Sequence, residues 1–385
     1  MYLKTLHLRQ FRNYLDCGVD FEAPKTILVG NNAQGKSNLL EAVELLSTLK
    51  SHRAVRDRDL IREGSADGKI TATLERANGS VDLALTLRTQ GRRTAAINQE
   101  ALRRQMDFLG VLNAVEFSSL DLDLVRGAPE QRRNWLDSIL TQLEPVYAHI
   151  LQQYNQVLRQ RNALLRQEAR KAQSSSANRQ EEISTDGDLN RDSELALWDV
   201  QLAIAGSRVT RRRARVLTRL APLAQAWHAS ISGSEVLELK YAPNVTLEKD
   251  EPEAVQQAFL EKIQQRRVAE HHQGTTLVGP HRDEVEFTIN QTPARIYGSQ
   301  GQQRTLVLAL KLAELKLIEE VVGEPPLLLL DDVLAELDPN RQNQLLDAIQ
   351  DRFQTLITTT HLGSFDAQWL NSSQILSVHA GQIKR

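Results

Sequence analysis

Residues 30–37 read G-N-N-A-Q-G-K-S, which fits the pattern G-x-x-x-x-G-K-[ST]. An apolar run at Thr26–Val29 precedes this stretch, and a helix-compatible run at Ser37–Leu46 follows it. In a strand–loop–helix unit of this kind, backbone N–H groups at the start of the helix converge on phosphate oxygens. The context therefore favours a phosphate-binding P-loop over the alternative, a glycine-rich turn that matches the pattern by chance.

The P-loop predicts which residues hold a nucleoside triphosphate. Lys36 reaches the β- and γ-phosphates, and the Ser37 hydroxyl ligates Mg²⁺. The predicted cofactors are therefore ATP and Mg²⁺. The residues predicted to bind the nucleotide are Gly30, Asn31, Asn32, Ala33, Gln34, Gly35, Lys36 and Ser37.

Composition limits the class of protein. The chain has 385 residues, of which 41% are hydrophobic and 25% charged, as in soluble globular proteins of one large or two ordinary domains. The single cysteine, Cys17, excludes an intramolecular disulfide and a cysteine-based metal cluster. The sequence has no signal-peptide core and no run long enough to span a bilayer, so we expect a cytoplasmic protein that does not bind membranes. The formal net charge is −2, so any nucleic-acid surface must be a local patch.

Residues 1 to about 125 are predicted to form mainly strands together with the P-loop helix, and three runs carry the period-two alternation of half-buried strands. The alternating runs are residues 3–8, 69–74 and 81–87. Ala77–Ser80 lies between the last two runs and supplies the residue types of a hairpin turn. We therefore expect a strand-rich N-terminal part around the P-loop helix.

The middle third has helical periodicity. Residues 129 to about 170 and 194 to about 230 repeat apolar side chains on one helix face, while residues 171–192 are polar and lack the repeat. This pattern predicts a mostly helical insertion, built on an antiparallel helix pair whose connection at 171–192 is a flexible loop.

The last third alternates strands with helices. Strands are predicted at 285–290, 326–330 and 355–359, and helices at 300–322 and 339–352. Apolar strands separated by helices predict a parallel sheet covered on both faces. The predicted α/β fold has three segments: 1–128 with the P-loop, the helical 129–232, and 233–385.

A second motif, a pair of adjacent aspartates, follows the predicted strand of four leucines, Leu327–Leu330. Asp331 and Asp332 come at the carboxyl end of this strand, the edge where α/β sheets bind ligands. We expect Asp331 to hold Mg²⁺, directly or through water, and Asp332 to act as general base toward a water molecule. A solvated turn is the alternative, but two carboxylates at the end of a buried strand beside a P-loop favour a bound cation.

Three further stretches resemble motifs of the ABC-type ATPases. Ser299–Gln303, at a helix start, is similar to the signature motif, Ala335–Asp338 to the D-loop, and His361 to the switch histidine. Each is weak alone, since a helix cap or a structural histidine is the simpler explanation. Their order along the chain, with a helical insertion between P-loop and signature, is typical of the superfamily.

The resemblance implies an ABC-type P-loop ATPase head with a mostly helical second lobe. In that superfamily two heads pair head to tail, and the signature of one head covers the nucleotide on the other. Ser299, Gly301 and Gln302 are therefore expected to contact nucleotide, and His361 to join Asp332 in catalysis. ATP would hold the homodimer together, and slow hydrolysis would release it.

Within that superfamily the chain resembles the RecF family, which is related to the SMC class. The resemblance spans nearly the whole chain and is carried by six stretches. They are FRNY at 11–14, GNNAQGKS at 30–37, SHR at 51–53, LVRGAPEQRR at 124–133, GPHRD at 279–283 and SQGQQR at 299–304. One stretch departs from the family, because Phe117-Ser118 continues as Ser119-Leu120-Asp121 where Pro-Glu-Asp is usual. No glutamine of the Q-loop type is assigned.

The family resemblance implies an ATP-dependent DNA-binding protein of recombinational repair and replication. It would act at single-strand gaps and stalled forks and help RecA loading together with RecR and RecO. Any ATPase activity would be weak and DNA-dependent, and the chain would be primarily an ATP-switched DNA-binding protein; whether it counts as an enzyme stays open. The resemblance also places Arg12, Asn13 and Arg53 near the nucleotide, with a solvated surface as the alternative.

Local basic clusters are the candidates for DNA contact. They are Arg211–Arg215, Arg53–Arg58, Arg92–Arg93 and Arg103–Arg104. Arginines on one surface neutralise backbone phosphates without reading sequence, which favours gapped or duplex DNA. Aromatic residues make up only 5% of the chain, which disfavours a stacking platform for single strands. The alternative is that the clusters are exposed faces paired with nearby acids.

Two other function classes share the P-loop. An ABC-type ATPase subunit of a transport complex would couple to a membrane subunit, and the long helical insertion argues against it. An ATP-driven helicase would need a tandem RecA-like repeat and arginine-finger motifs, which the sequence lacks.

Overall fold

The computed structural model describes residues 1–177, 185–246, 248–349 and 352–384. Its strands are β1 Tyr2–Phe11, β2 Tyr14–Asp20, β3 Lys25–Val29, β4 Asp67–Arg76, β5 Gly79–Arg88, β6 Thr94–Ile97, β7 Glu100–Ala101, β8 Ala114–Ser118, β9 Leu237–Ala242, β10 Glu284–Ile289, β11 Thr292–Pro293, β12 Leu327–Asp331, β13 Thr355–Thr359, β14 Ser373–His379 and β15 Gln382–Lys384. Its helices are α1 Lys36–Thr48, α2 Asp123–Arg126, α3 Pro129–Leu143, α4 Val146–Ala177, α5 Thr185–Ser232, α6 Pro252–Gln273, α7 Ala294–Tyr297, α8 Gln300–Val322, α9 Pro339–Ile349 and α10 Ala367–Asn371. Among the helices of these ranges, none combines the length and the apolar composition that a bilayer crossing requires.

A six-stranded sheet positions the predicted nucleotide residues. Its strand order is β15–β14–β3–β13–β12–β8, and all neighbours are parallel except β14 and β15. Leu327 and Leu329 of β12 enter one apolar core, and Leu328 and Leu330 enter another. Successive side chains of a strand point to opposite faces, so a run of four leucines needs an apolar layer on each side. The predicted parallel sheet with two covered faces is confirmed.

A second sheet of six strands, ordered β2–β1–β4–β5–β6–β7, is antiparallel and shares an apolar core with α1. Strands β4 and β5 pair outward from Arg76 and Gly79, so the predicted hairpin closes at Ala77 and Asn78. Strands β1 and β2 form another hairpin, whose turn at residues 12–13 reaches the P-loop. This sheet therefore brings the N-terminus of the chain to the nucleotide loop.

The middle of the chain is helical, as predicted, but its helices are longer than the apolar repeat suggests. Helix α4 continues to Ala177 and α5 begins at Thr185, so both enter the stretch 171–192 for which the sequence predicts a loop. Residues 171–177 contain neither proline nor glycine, so nothing in that stretch ends the helix. Residues 178–184 lie outside the described residues, and a flexible connection there stays a prediction.

The helical insertion shares its core with later segments of the chain. Side chains of α3, α4 and α5 pack with residues of α6, β9, β10 and α8 in one apolar cluster. A small sheet, ordered β11–β10–β9, belongs to the same lobe. The apolar core is continuous across residue 232, and the division of the chain into segments 1–128, 129–232 and 233–385 stays a prediction.

A buried ion pair lies inside this core. The Arg213 side chain is 4% exposed, and its guanidinium donates two hydrogen bonds of 2.8 Å to the Asp137 carboxylate and one of 2.7 Å to the Pro280 carbonyl. Arg211 and Arg215 are four residues apart and share a helix face, whereas Arg213, midway between them, lies on the opposite face. The predicted DNA contact is therefore wrong for Arg213, because helix geometry turns this side chain into the core.

We expect Arg213→Met to destabilise the fold by about 3–5 kcal/mol, because it leaves the Asp137 charge buried without its partner. The matched control is Arg215→Met on the same helix, where the side chain is 57% exposed and pairs with Asp250. Its effect should stay below about 1 kcal/mol. Urea-unfolding midpoints measure the difference, and equal midpoints would contradict a structural role for Arg213.

Candidate functional site

The P-loop joins β3 to α1 at the carboxyl edge of the parallel sheet. Ala33 and Gly35 have positive φ angles of 62° and 118°, and backbone turns of this kind aim successive amides into an anion-binding concavity. Position 30 requires glycine because the backbone of Val378 lies close to it: a Cβ atom there would lie 2.3 Å from the Val378 carbonyl oxygen. Residues 31–33 are exposed, so the loop presents its outer side to a ligand.

The N-terminal hairpin and the C-terminal strands support the P-loop. The Asn13 amide donates to the Gln34 carbonyl at 2.8 Å, and the Tyr14 hydroxyl donates to the Gly35 carbonyl at 2.9 Å. The Gln34 side-chain oxygen accepts from the backbone N–H of Ala380 at 2.7 Å. Asn13, which the resemblance places near the nucleotide, thus contacts the loop backbone. Sequence reasoning missed Tyr14 and Ala380, because no local pattern connects them to the loop.

Lys36 is buried at the first turn of α1, with 4% of the residue exposed. Its ammonium donates to the carbonyls of Gly30 at 2.8 Å and Asn31 at 3.1 Å. The ammonium therefore lies inside the loop, on the side where phosphate oxygens would bind.

One carboxylate oxygen connects the ends of neighbouring strands. Oδ1 of Asp331 accepts hydrogen bonds from the hydroxyls of Ser37 and Thr358, both at 2.7 Å. Neighbouring ligands of an octahedral Mg²⁺ ion stand about 2.9 Å apart, so the Ser37 and Asp331 oxygens fit the predicted metal site. Sequence reasoning missed Thr358, although its place at the end of a buried strand was a usable signal.

Asp332 follows β12 with a positive φ of 54°, and its backbone N–H donates to the Thr358 hydroxyl at 2.9 Å. Burial raises the pKa of the Asp332 carboxyl above its usual value; Lys36 lowers this pKa and Asp331 raises it by smaller amounts. A raised pKa makes a carboxylate a stronger base. The structure brings Asp332 to Lys36 and Asp331, and its role as general base stays a prediction.

His361 comes two residues after β13, at the same edge of the sheet, and is exposed. The Thr359 hydroxyl donates to the His361 carbonyl at 2.8 Å and accepts from its backbone N–H at 3.3 Å. These bonds fix the backbone of His361. The role of its imidazole in catalysis stays a prediction.

The predicted signature lies at the N-terminus of α8. The Ser299 hydroxyl accepts from the backbone N–H of Gln302 at 3.2 Å, and the Gln302 carboxamide accepts from that of Ser299 at 2.8 Å. Gln302 also donates to Glu235 at 2.8 Å. The stretch is thus a helix cap, and its helix N-terminus is a site suited to anions. Within the described ranges, the hydrogen bonds of Ser299, Gly301 and Gln302 do not reach the P-loop.

Arg341 connects the predicted D-loop to the signature. Its guanidinium pairs with Asp338 and donates to the Gly301 carbonyl at 3.2 Å and to the Thr305 hydroxyl at 2.8 Å. Sequence reasoning missed Arg341, although it follows Asp338 by three residues and lies in the first turn of α9. A displacement of the D-loop would therefore be transmitted to the signature helix.

Arg12 and Arg53 stand beside the carboxylate of Glu41 on α1. Arg12 donates two hydrogen bonds, of 2.8 and 2.6 Å, to Glu41, which is fully buried. Arg53 donates to the Asn38 side chain at 3.0 Å and is 39% exposed. Arg12 is thus a structural contact of the P-loop helix, and the solvated-surface alternative is wrong for it.

Acidic neighbours neutralise much of the predicted basic surface. The pairs are Arg211 and Arg215 with Asp250, Arg212 with Glu144, and Arg93 with Asp57. Among the arginines of the predicted basic clusters, four are exposed and form no ion pair within the part of the chain that the structure describes. They are Arg56, Arg92, Arg103 and Arg104.

The chain matches the family model of the RecF/RecN/SMC N terminal domain over residues 2–382. Similar relatives, each named DNA replication and repair protein RecF, come from Nostoc punctiforme and Gloeothece citriformis. They are 73% identical over 384 residues and 71% identical over 391 residues. Both matches cover 100% of this chain, with 99% and 100% of the relatives covered.

Two solved structures are also similar. The recombination mediator protein RecF with ATP, in the RecFOR pathway, has a TM-score of 0.87 at 29% identity, covering 100% of this chain and 97% of that chain. The Smc head domain from Pyrococcus furiosus has a TM-score of 0.55 at 16% identity, covering 100% of this chain and 95% of that chain. This second likeness concerns the fold alone. The predicted fold, an ABC-type P-loop ATPase head with a helical lobe, is confirmed.

Proposed function

The chain belongs to the RecF family, and we propose that it is an ATP-switched DNA-binding protein of replication and recombinational repair. Its relatives at 73% and 71% identity are named DNA replication and repair proteins, and the RecF structure at 29% identity is a complex with ATP. One observation carries the proposal: the predicted nucleotide residues form two groups that lie apart within the chain. Ser37 and Asp331 meet within one chain at 2.7 Å, whereas Ser299 makes its capping bonds away from the P-loop.

ATP and Mg²⁺ are the proposed cofactors. The backbone of residues 30–37 would hold the phosphates, and Lys36 would exchange its two carbonyl acceptors for phosphate oxygens. Ser37 and Asp331 would hold Mg²⁺, which neutralises phosphate charge when bound. The support for this assignment is the spacing of the two oxygens and the burial of Lys36 beside them.

A head-to-tail homodimer would complete the site. The helix N-terminus at Ser299 offers hydrogen bonds and a positive dipole end, which suit a γ-phosphate on a second head. Ile296 and Tyr297, directly before the signature, are 71% and 69% exposed. Exposed apolar side chains beside an anion-binding helix end favour an interface at this position.

Hydrolysis would separate the two heads. Asp332 would take a proton from the attacking water as its oxygen bonds to the γ-phosphorus, and the bond from that phosphorus to the oxygen of ADP would break. His361, at the same edge of the sheet, is proposed to orient the γ-phosphate. We infer a weak, DNA-dependent ATPase whose main task is binding.

DNA and the mediators RecR and RecO are the proposed partners. The exposed arginines of the N-terminal lobe would contact backbone phosphates at single-strand gaps or stalled forks. The similar RecF structure belongs to the RecFOR pathway, which supports mediators as partners and help with RecA loading as the outcome. A cytoplasmic location is part of the same proposal. The names of the relatives favour this function over the ATPase subunit of a transport complex.

We expect Ser299→Arg to block ATP-induced dimerisation while leaving ATP binding by the monomer intact. Ser299 caps the helix that faces the other head, so a bulky side chain there obstructs the interface and spares the P-loop. Ser80→Arg, in the exposed β4–β5 hairpin, is the matched control and should dimerise normally. Light scattering measures the molar mass of each variant in the presence of ATP. A dimer of the Ser299→Arg variant would contradict the head-to-tail arrangement.

The two neighbouring aspartates should have opposite effects on DNA residence. Asp332→Asn should keep Mg²⁺-ATP binding and lower the hydrolysis rate by about 10²-fold or more, because the general base is lost. The variant should therefore stay dimeric with ATP and hold gapped DNA longer than the wild type. Asp331→Asn should weaken Mg²⁺-ATP binding and shorten residence, because a metal ligand is lost.

Dissociation of labelled gapped DNA from the two aspartate variants measures this difference. Wild-type protein with ADP sets the short-residence reference. Equal residence times, or a longer time for Asp331→Asn, would mean that the roles are assigned wrongly.

A further inference from the structure

A compact cluster of metal-binding side chains lies outside the nucleotide site. Glu44 comes from α1, His52 from the loop that follows this helix, and Glu116 from β8. One ligand atom from each residue lies within 4.8 Å of the other two. The cluster opens on a cavity of about 820 Å³ between the N-terminal lobe and helices α3 and α4, so water can reach it.

The distances within the cluster match a metal site. Nδ1 of His52 lies 2.8 Å from Oε2 of Glu44 and 3.2 Å from Oε2 of Glu116. Ligand atoms bound to one tetrahedral Zn²⁺ at about 2.0–2.1 Å stand about 3.3 Å apart. The two distances from His52 are close to this spacing, and the carboxylate oxygens of Glu44 and Glu116 lie within 4.8 Å of each other. The three atoms could therefore converge on a single ion after movements of the side chains.

The charge of the cluster also favours a divalent ion. Two carboxylates face one imidazole, so a protonated His52 balances only one of the two negative charges. Oε1 of Glu116 is buried and has no hydrogen-bond partner in the described residues. The ammonium of Lys311 lies nearby, but it pairs with Asp121 at 2.9 Å and donates to the Glu116 backbone carbonyl at 2.7 Å.

Protons compete with a metal ion at this cluster. Burial raises the pKa of the Glu44 carboxyl to about 7, and Glu116 adds to the rise although His52 opposes it. Burial lowers the pKa of the His52 imidazole, but its hydrogen bonds to Glu116 and Glu44 outweigh this effect and raise the pKa to about 10. A metal ion would therefore displace a proton from His52 when it binds.

We propose that Glu44, His52 and Glu116 bind one divalent transition-metal ion of the Zn²⁺ or Mn²⁺ class. Imidazole and carboxylate ligands together suit these ions better than Mg²⁺ or Ca²⁺, which prefer oxygen ligands alone. Three protein ligands leave a coordination position for water from the cavity. The ion would tie the C-terminal turn of α1, the helix that starts at the P-loop, to the edge strand β8.

Zn²⁺ binding to the chelator-treated full chain tests the proposal, with a chromophoric chelator as competitor and without nucleotide. Wild-type protein should bind one Zn²⁺ per chain. His52→Ala and Glu116→Gln should each weaken this binding at least about tenfold, the lower range for losing a metal-site contact. His7→Ala is the matched control, because His7 also contacts a carboxylate, Asp16 at 2.5 Å, but only one; its binding should equal that of the wild type.

Several results would overturn the proposal. One is wild-type protein that binds no Zn²⁺, and another is binding that survives in both cluster variants. A third is a site that disappears in Asp331→Asn but not in His52→Ala, which would place the ion at the nucleotide site. Thermal unfolding without metal shows whether the variants fold. If they do not fold, the visible absorption spectrum of Co²⁺ added to the wild-type protein tests the site instead. Absorption typical of nitrogen and oxygen ligands supports the proposed metal site, and its absence rejects it.

Discussion

The hydrogen bond from the Ser37 hydroxyl to the Asp331 carboxylate is the contact on which the rest of the site depends. It joins residues 294 positions apart, and it can form only because β13 lies between β3 and β12 in the parallel sheet. The hydroxyl of Thr358 on that middle strand completes the contact. The whole helical insertion lies between the two halves of the site in sequence, yet the sheet brings them to a common edge. A sheet ordered in this way is what lets one Mg²⁺ ion bind both the P-loop and the aspartate strand.

The fold, the P-loop and the aspartate pair could be predicted because short local sequence patterns indicate them. Four consecutive leucines between Pro326 and two aspartates favour a short strand with two buried faces. The glycine pattern of the P-loop follows from backbone geometry at a helix start. The supports of the site could be predicted only in part. The family resemblance places Asn13 near the nucleotide, whereas Tyr14 and Ala380 reach the loop from distant parts of the chain and no local pattern connects them to it. The prediction that the basic run at 211–215 forms one surface is wrong for Arg213, because helical spacing places this middle residue on the other face.

Two separate connections link the nucleotide site to the rest of the molecule. Arg341 ties the D-loop aspartate to the signature helix through Gly301 and Thr305, so one surface would respond as a unit when a second head arrives. Arg12 ties the N-terminal hairpin to Glu41 on α1, so the P-loop helix has a fixed support behind it. Among the arginines of the predicted basic clusters, the exposed ones that form no ion pair in the described ranges are Arg56, Arg92, Arg103 and Arg104. The surface around residues 56–104 is therefore the one to compare with DNA.

The central claim is that ATP joins two divided sites into a dimer that holds DNA. Sedimentation velocity tests this claim directly. The wild-type chain is measured with ATP, with ADP and without nucleotide, each with and without gapped DNA. The control is Lys36→Met, which removes the phosphate-binding ammonium. We predict that the wild-type chain is a dimer only when ATP is present and that DNA co-sediments with this dimer. The Lys36→Met variant should stay monomeric under every condition. A monomer in every nucleotide state, or a dimer that forms equally well without ATP, would contradict it.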